Sequence, residues 1–182
     1  MKATDDFLEI IGRNRDLVSA GGVVHSFTGT IEEMNKILNE TEFYIGKLIN
    51  IVTDDSSVLL TNTKVLYSLL FAGINGCSLK TKENLEVVKE IPLEKMMIET
   101  DCPWCEIKAS HAGYSLIDTK FPTKKDAKKW ETGHCIKGRS EPCHIVQVAE
   151  VIAKVKGIGV PQVANACFEN SAKLFNFESK DN

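Results

Sequence analysis

The stretch MMIETDCPW, residues 96–104, brings two carboxylates to the end of a short apolar run. Apolar residues bounded by polar ones over so few positions predict a buried strand at residues 95–98 rather than a helix. Pro103 cannot donate a hydrogen bond to a sheet and biases the residue before it toward an extended backbone, so the strand ends near Asp101. Because α/β folds place ligands at the carboxyl ends of parallel strands, Glu99 and Asp101 mark a candidate site. A solvated junction between strand and loop is the alternative.

A second apolar run, GGVVHSFTGT at residues 21–30, has the same layout. It predicts a strand ending at His25, then a turn and a helix over residues 31–39. Thr30 suits the N-cap of that helix, and Glu33 completes a capping box. Imidazole and carboxylate groups are common ligands of divalent metals at hydrolytic sites. His25 and Asp101 are therefore candidate metal ligands, whereas an ordinary packed or surface histidine is the alternative for His25 alone.

The composition is that of a folded domain. The chain has 182 residues, 43% of them hydrophobic and 26% charged, which is close to the average for globular proteins. A net charge of −3 excludes a basic field over the whole surface, so binding to nucleic acid would need a local patch. The amino terminus lacks a signal-peptide pattern, and the six cysteines form no evident disulfide framework. We therefore expect a cytoplasmic or nuclear protein without a membrane partner.

Helical periodicity recurs along the rest of the chain. Helices are predicted at residues 1–15, from 81 to the proline at 92, at 143–156, and at 161–175, the last with Val163, Cys167 and Phe168 in the core.

Residues 105–139 form a long region rich in loop signals, and such loops are usually functional or disordered. Its lysines suggest a phosphate-binding surface with Lys124 and Lys125, while Trp104 or Trp130 could stack on a base. A solvated charged surface is the alternative.

Several short motifs, taken in order, resemble one family. They are VHSFTG at 24–29, NGCSLK at 75–80, IETDCPW at 98–104, SHAG at 110–113, WETGHC at 130–135 and RSEPCHI at 139–145. Together they resemble the eukaryotic branch of the TatD family of metal-dependent deoxyribonucleases, which belongs to the TIM-barrel metallohydrolases. The resemblance covers most of the chain except residues 47–73.

The resemblance implies an α/β fold that is a partial TIM-type (β/α)8 barrel, holding the last three β/α units. Residues 1–182 would be a single TatD-like hydrolase domain that is incomplete at its N-terminal side. Removing residues 47–73 joins FYIG at 43–46 directly to INGCSL at 74–79, in the family pattern. We therefore interpret 47–73 as an in-frame insertion and expect it to bulge from the end of a strand rather than extend the sheet.

The resemblance also implies a site and an activity. His25 matches a family histidine that binds metal, and Asp101 matches the aspartate that binds metal and takes a proton from the attacking water. The implied cofactor is a divalent cation, Mg2+, Mn2+ or Zn2+, and the implied reaction is hydrolysis of DNA, as an exonuclease. The family's H-x-H pair and remaining ligands have no counterpart here, which leaves the activity of this chain an open question.

Two other functions remain possible from the residues. One is a non-catalytic fragment or interaction protein. The other is a thiol-redox or zinc-binding module, because Cys102 and Cys105 have C-x-x-C spacing and could be joined by Cys135, Cys143 or His144. The residues after Cys105 make a poor amphipathic helix, and the second cysteine pair is widely spaced, so this module fits less well.

Overall fold

A three-stranded parallel sheet forms the centre of the fold. The computed structural model describes residues 3–14, 17, 21–39 and 70–175. The strands are β1 (Gly22–Val24), β2 (Leu70–Ile74) and β3 (Met96–Ile98), and β2 lies between the other two. Every residue of β2 is buried, as expected for the middle strand of a parallel sheet. The predicted α/β class and the predicted strands before His25 and Glu99 are confirmed.

Five α-helices accompany the sheet within the described residues. They are α1 (Ala3–Arg13), α2 (Ile31–Asn39), α3 (Lys82–Glu90), α4 (Ile145–Lys156) and α5 (Val160–Phe175). The predicted capping box of α2 is present, because the Glu33 backbone N–H donates to Thr30 Oγ1 and the Glu33 carboxylate accepts from the Thr30 backbone N–H. Gly157 ends α4 in the left-handed conformation, with φ of 68°. In this part of the chain, no helix is long and apolar enough to cross a membrane.

The core is built from the sheet and from buried residues of all five helices. Ile74, Met96 and Ile152 are fully enclosed, and α5 packs on both β3 and α4. Val163 and Cys167 of α5 are buried as predicted, but the prediction for Phe168 is wrong, since it is 72% exposed. Cys167 lies one helical turn after Val163 on the same face, and the next residue points about 100° away from that face.

The long region after β3 is ordered by short elements and by one buried acid. β4 (Thr123–Lys124) and β5 (Cys135–Ile136) pair in parallel. The Glu150 carboxylate, in the middle of α4, accepts hydrogen bonds from the backbone N–H groups of Asp118 and Thr119. A buried carboxylate with several donors is stable in this setting and fixes the loop against the helix.

The predicted insertion at residues 47–73 is only partly within the described residues. Residues 47–69, and the strand predicted at 43–46, lie outside them. Leu70 to Gly73, by contrast, make up most of β2 and pair with both neighbouring strands. The expectation of a bulge is therefore wrong for these four residues, whose small and apolar side chains suit the central strand. That 47–73 is an insertion stays a prediction.

Candidate metal centre

The carboxyl ends of the three central strands bring together one group of polar side chains. His25 follows β1, Asn75 follows β2, and Glu99 and Asp101 follow β3. Parallel pairing aligns these strand ends at the same edge of the sheet, with Ile74 opposite Ile98. Residues far apart in sequence thus become neighbours at the position where α/β proteins bind ligands.

His25, Glu99 and Asp101 form the candidate metal centre. His25 Nε2 lies 2.8 Å from Glu99 Oε2 and 3.5 Å from Asp101 Oδ1. One donor atom from each residue lies within 4.8 Å of the other two. The His25 side chain is 60% exposed, whereas those of Glu99 and Asp101 are 18% and 22% exposed. The structure therefore brings the two predicted ligands together and adds Glu99 to them.

Ser26 and Asn75 orient the two carboxylates. The Ser26 backbone N–H donates to Glu99 Oε1 at 2.7 Å, and the Ser26 hydroxyl donates to Asp101 Oδ2 at 2.6 Å. Asn75 Nδ2 donates to the same Asp101 oxygen at 2.8 Å and to Ser26 Oγ at 2.6 Å. Because these bonds use Oε1 of Glu99 and Oδ2 of Asp101, the second oxygen of each acid is left facing His25.

The backbone around this centre is strained. Among the described residues other than glycine, only Ser26, Asp101 and Cys105 have positive φ, at 50°, 50° and 56°. The left-handed conformation costs a residue with a side chain about 1–2 kcal/mol. Such strain is concentrated at functional sites, where surrounding contacts maintain it.

The donor set and its surroundings fit a divalent cation. Burial raises the pKa of the Glu99 carboxyl above its ordinary value of 4.5, the Ser26 N–H and His25 lower it, and Asp101 raises it again. In the described part of the chain, no lysine or arginine forms an ion pair with either acid. His25 Nδ1 lies 3.4 Å from Ser26 Oγ, a partner that can accept the Nδ1 proton and leave the Nε2 lone pair for a metal.

Glu99 should make the stability of the metal-free chain depend on pH. A carboxyl with a raised pKa binds more protons in the folded state, so stability falls as the pH rises from the unfolded value near 4.5 through the raised folded value. The Glu99→Gln variant lacks this ionisation. We expect its advantage in the free energy of unfolding to grow from about pH 4 to about pH 8. Urea unfolding in a chelator measures this, and a difference independent of pH would contradict it.

The residues predicted to bind substrate lie outside the three-residue centre. Lys124 Nζ forms an ion pair with Glu131 Oε1 at 3.0 Å, and Lys125 lines a separate cavity of about 630 Å3 beside Lys120. Trp104 donates its backbone N–H to the Asp101 carbonyl at 2.8 Å, but its side chain is 75% exposed. Their role in binding substrate stays a prediction.

The cysteines do not assemble as the C-x-x-C interpretation requires. Cys105 Sγ lies 2.9 Å from Cys77 Sγ and 4.0 Å from Asp101 Oδ2, while Cys102 is exposed. Burial, followed by the nearby Cys77 thiol, raises the pKa of Cys105 to about 12. Redox-active thiols have lowered pKa values, so this environment is opposite to that of a thiol-redox centre.

A second group of possible ligands contains Cys135, Cys143 and His144. The two sulfur atoms are 3.9 Å apart, and one donor atom of each residue lies within 4.8 Å of the others. His144 Nδ1 already accepts a hydrogen bond from the Glu141 backbone N–H at 2.9 Å, which fixes the proton of the neutral ring on Nε2. Neither nitrogen then has a free lone pair. Within the described residues, Cys102 is not part of this group, so the predicted zinc module is not formed.

Alkylation should distinguish Cys102 from Cys105. The thiolate is the reactive form, and a pKa of about 12 leaves very little of it at Cys105 near neutral pH. We expect iodoacetamide to modify the exposed Cys102 at least about tenfold faster than Cys105. Peptide mass mapping over time measures both rates, with Cys105→Ser as the assignment control. Equal rates, or modification of the two cysteines as a pair, would support the redox interpretation instead.

Sequence reasoning placed Glu99 at the candidate site without naming it as a metal ligand, and it assigned no role to Ser26 or Asn75. Glu99 stands two residues before Asp101 at the end of the same predicted strand, which was a usable signal. Ser26 directly follows His25, and Asn75 directly follows the apolar run of β2. No pattern within either segment indicates that their side chains meet Asp101.

The chain matches the model of one protein family and several curated and solved relatives. The model of "TatD related DNase" matches residues 56–176. "Deoxyribonuclease Tat-D" of Schizosaccharomyces pombe is 39% identical over 175 residues, covering 96% of this chain and 47% of that protein. The protein of the same name from Saccharomyces cerevisiae is 35% identical, covering 84% of this chain and 34% of that protein. The chain thus spans less than half the length of these two relatives.

The fold is also similar to that of solved structures. The "hydrolase TatD family protein" from Entamoeba histolytica is similar with a TM-score of 0.72 and 30% identity, covering 96% of this chain and 48% of that one. An "uncharacterized amidohydrolase" from Saccharomyces cerevisiae is similar with a TM-score of 0.63 and 34% identity, covering 84% of this chain and 39% of that one. The described residues thus have the fold of one part of a TIM-type metallohydrolase barrel, as predicted. Together with the family match over residues 56–176, these similarities show that the protein belongs to the family of TatD-related DNases.

Proposed function

We propose that this chain is a metal-dependent deoxyribonuclease that hydrolyses phosphodiester bonds of DNA. The observation that carries the proposal is the convergence of His25, Glu99 and Asp101 at adjacent strand ends, in a chain whose relatives are named deoxyribonucleases. The cofactor we propose is one divalent cation, Mg2+, Mn2+ or Zn2+. Nitrogen and carboxylate donors are compatible with all three.

The number of donors supports a bound cation. Sequence reasoning alone supplies two ligands, His25 and Asp101, whereas catalytic zinc sites have three protein ligands and an open position. Glu99 Oε2, 2.8 Å from His25 Nε2, supplies the third. The exposed side of His25 leaves room for water and for a phosphate group beside these donors.

In this proposal each residue has a separate task. When bound, a divalent cation lowers the pKa of water and offsets the charge that develops on phosphate oxygens. Ser26 and Asn75 hold Asp101 through Oδ2, which fixes the direction of Oδ1. We assign Asp101 to hold the cation and, as a positioned general base, to accept the proton of the attacking water. His25 and Glu99 supply the other two donor atoms that would hold the cation.

Cleavage of labelled DNA tests the proposal. The purified chain is incubated with end-labelled single- and double-stranded DNA and with Mg2+, Mn2+ or Zn2+, beside the Asp101→Asn variant. We expect cation-dependent hydrolysis that is lost in the variant and in excess chelator, and release of mononucleotides would indicate cutting from strand ends. Absence of hydrolysis with every cation would contradict the proposal and favour a non-catalytic protein. Equal hydrolysis by the variant would assign the cleavage to a contaminant.

A further inference from the structure

A cavity of about 500 Å3 begins at the residue that follows Asp101. Cys102 and Pro103 form one wall, and Trp130, Ile136 and Arg139 are among the residues that form the rest. Cys102 directly follows Asp101, so one wall of this cavity is one residue along the chain from the candidate metal centre.

Trp130 is fixed in place by its polar edge. Its indole N–H donates to the His134 carbonyl oxygen at 2.7 Å, and the side chain is still 54% exposed. The hydrogen bond orients the ring while leaving much of its surface open. An exposed aromatic surface of this kind is the usual platform for an unstacked nucleobase.

Arg139 gives the cavity an available positive charge. Across the described residues, no carboxylate lies within ion-pair distance of its guanidinium, and the residue is exposed. Glu141 also lines the cavity, but its Oε1 accepts from the Ile136 backbone N–H at 3.3 Å. Residues 120–139 carry seven lysines and arginines against two acids, in a chain whose net charge is −3. Arg139 is the one of these seven that lines the cavity, so its guanidinium is the positive charge that an anionic ligand would meet there.

Ser140 fixes the loop that carries Arg139 to the segment after Asp101. Its backbone N–H donates to the Pro103 carbonyl at 3.0 Å, its hydroxyl donates to the Thr100 carbonyl at 3.4 Å, and it is buried. These two bonds therefore hold the Arg139 wall of the cavity against the segment that contains Asp101.

We propose that this cavity binds one nucleotide of single-stranded DNA next to the phosphate that is cut. The base stacks on Trp130, and Arg139 contacts the adjoining phosphate. The inference rests on the proposed function and adds a subsite to it. It also chooses between the two tryptophans that the sequence suggested, since Trp130 lines the cavity and Trp104 does not.

Tryptophan fluorescence can test this subsite without any cleavage. The chain has two tryptophans, so Trp104→Phe leaves Trp130 as the only one, and Trp130→Phe leaves Trp104. Each variant is titrated with a short single-stranded oligonucleotide in a chelator, and with the same oligonucleotide carrying abasic sites. Circular dichroism of both variants checks that they are folded.

We expect the oligonucleotide to quench Trp130 in the Trp104→Phe variant and to leave Trp104 nearly unchanged in the other variant. Abasic DNA should quench Trp130 much less. Trp130→Ala should weaken binding about tenfold to a hundredfold, as loss of one stacked base does. Arg139→Ala should reduce the salt dependence of binding, because one phosphate contact is lost.

The outcomes separate this inference from the proposed function. Equal quenching of both tryptophans, quenching of Trp104 alone, or equal quenching by abasic DNA would overturn the subsite even if the chain cleaves DNA. Quenching of Trp130 that requires the base would support the subsite even if no cleavage is seen, in which case only the proposed activity would fail.

Discussion

Replacing Gly76 by alanine should destabilise the fold by about 3 kcal/mol, the upper end of the usual cost of overfilling a core. A Cβ at this position would lie 1.9 Å from the carbonyl oxygen of Cys105 and 3.0 Å from its carbonyl carbon. Both are backbone atoms, so a change of side-chain rotamer cannot relieve the overlap. The Cys105 segment must move, and with it the chain that follows Asp101. Urea unfolding monitored by circular dichroism measures the loss.

Gly22 supplies a matched control for this substitution. A Cβ on Gly22 would have Leu70 Cδ2 as its nearest neighbour, at 3.5 Å, which is an ordinary contact. We expect Gly22→Ala to change the free energy of unfolding by about 0.5 kcal/mol or less. If the two variants lose the same stability, the close approach of Gly76 to the Cys105 backbone is not a feature of the folded protein.

Replacing Asp101 by asparagine should lower the affinity for Mn2+ by about 100-fold or more. Loss of a residue that only hydrogen-bonds to a metal ligand lowers metal affinity about 10- to 100-fold, and loss of a direct ligand should cost at least as much. Asparagine tolerates the left-handed backbone at this position, where φ is 50°. Its amide oxygen can accept the bonds from Ser26 and Asn75, so the fold is preserved. The amide nitrogen then replaces Oδ1 and removes one negative charge from the centre. Calorimetric titration with Mn2+ measures the affinity.

Asp118 serves as the control for charge alone. It is 71% exposed and forms an ion pair with Lys154, away from the metal centre. Asp118→Asn removes the same charge but no proposed ligand, so we expect its Mn2+ affinity to equal that of the unchanged chain. A similar loss in both variants would mean that Mn2+ responds to net charge rather than to a built site.

Local patterns in the sequence are sufficient to predict the strands and the helix cap that position the metal centre. The strands before His25 and Glu99 are short apolar runs with clear endings, and the Thr30–Glu33 capping box is a local signal that the structure reproduces. The centre is harder to predict because it depends on contacts between strand ends. Asn75 lies 26 residues before Asp101, and only the parallel pairing of β2 with β3 brings them together.

The other differences between the sequence predictions and the structure also have physical causes. The pair formed by Cys77 and Cys105 depends on the close approach of two loop backbones, whereas the C-x-x-C spacing of Cys102 and Cys105 is visible in sequence but is not used. β2 was predicted partly as an insertion because two apolar segments, FYIG and LFAG, are both suitable for the central strand. The choice between such segments is made by packing with β1 and β3 and not by local propensity.

The most direct test of the account is pulsed electron paramagnetic resonance of Mn2+ bound to this chain. The central claim is that His25, Glu99 and Asp101 hold one cation, so the bound Mn2+ should show coupling to a directly bonded imidazole nitrogen. That coupling should disappear in His25→Gln and persist in His111→Gln, which changes a histidine outside the centre. Bound Mn2+ without nitrogen coupling, or coupling unaffected by His25→Gln, would contradict the claim.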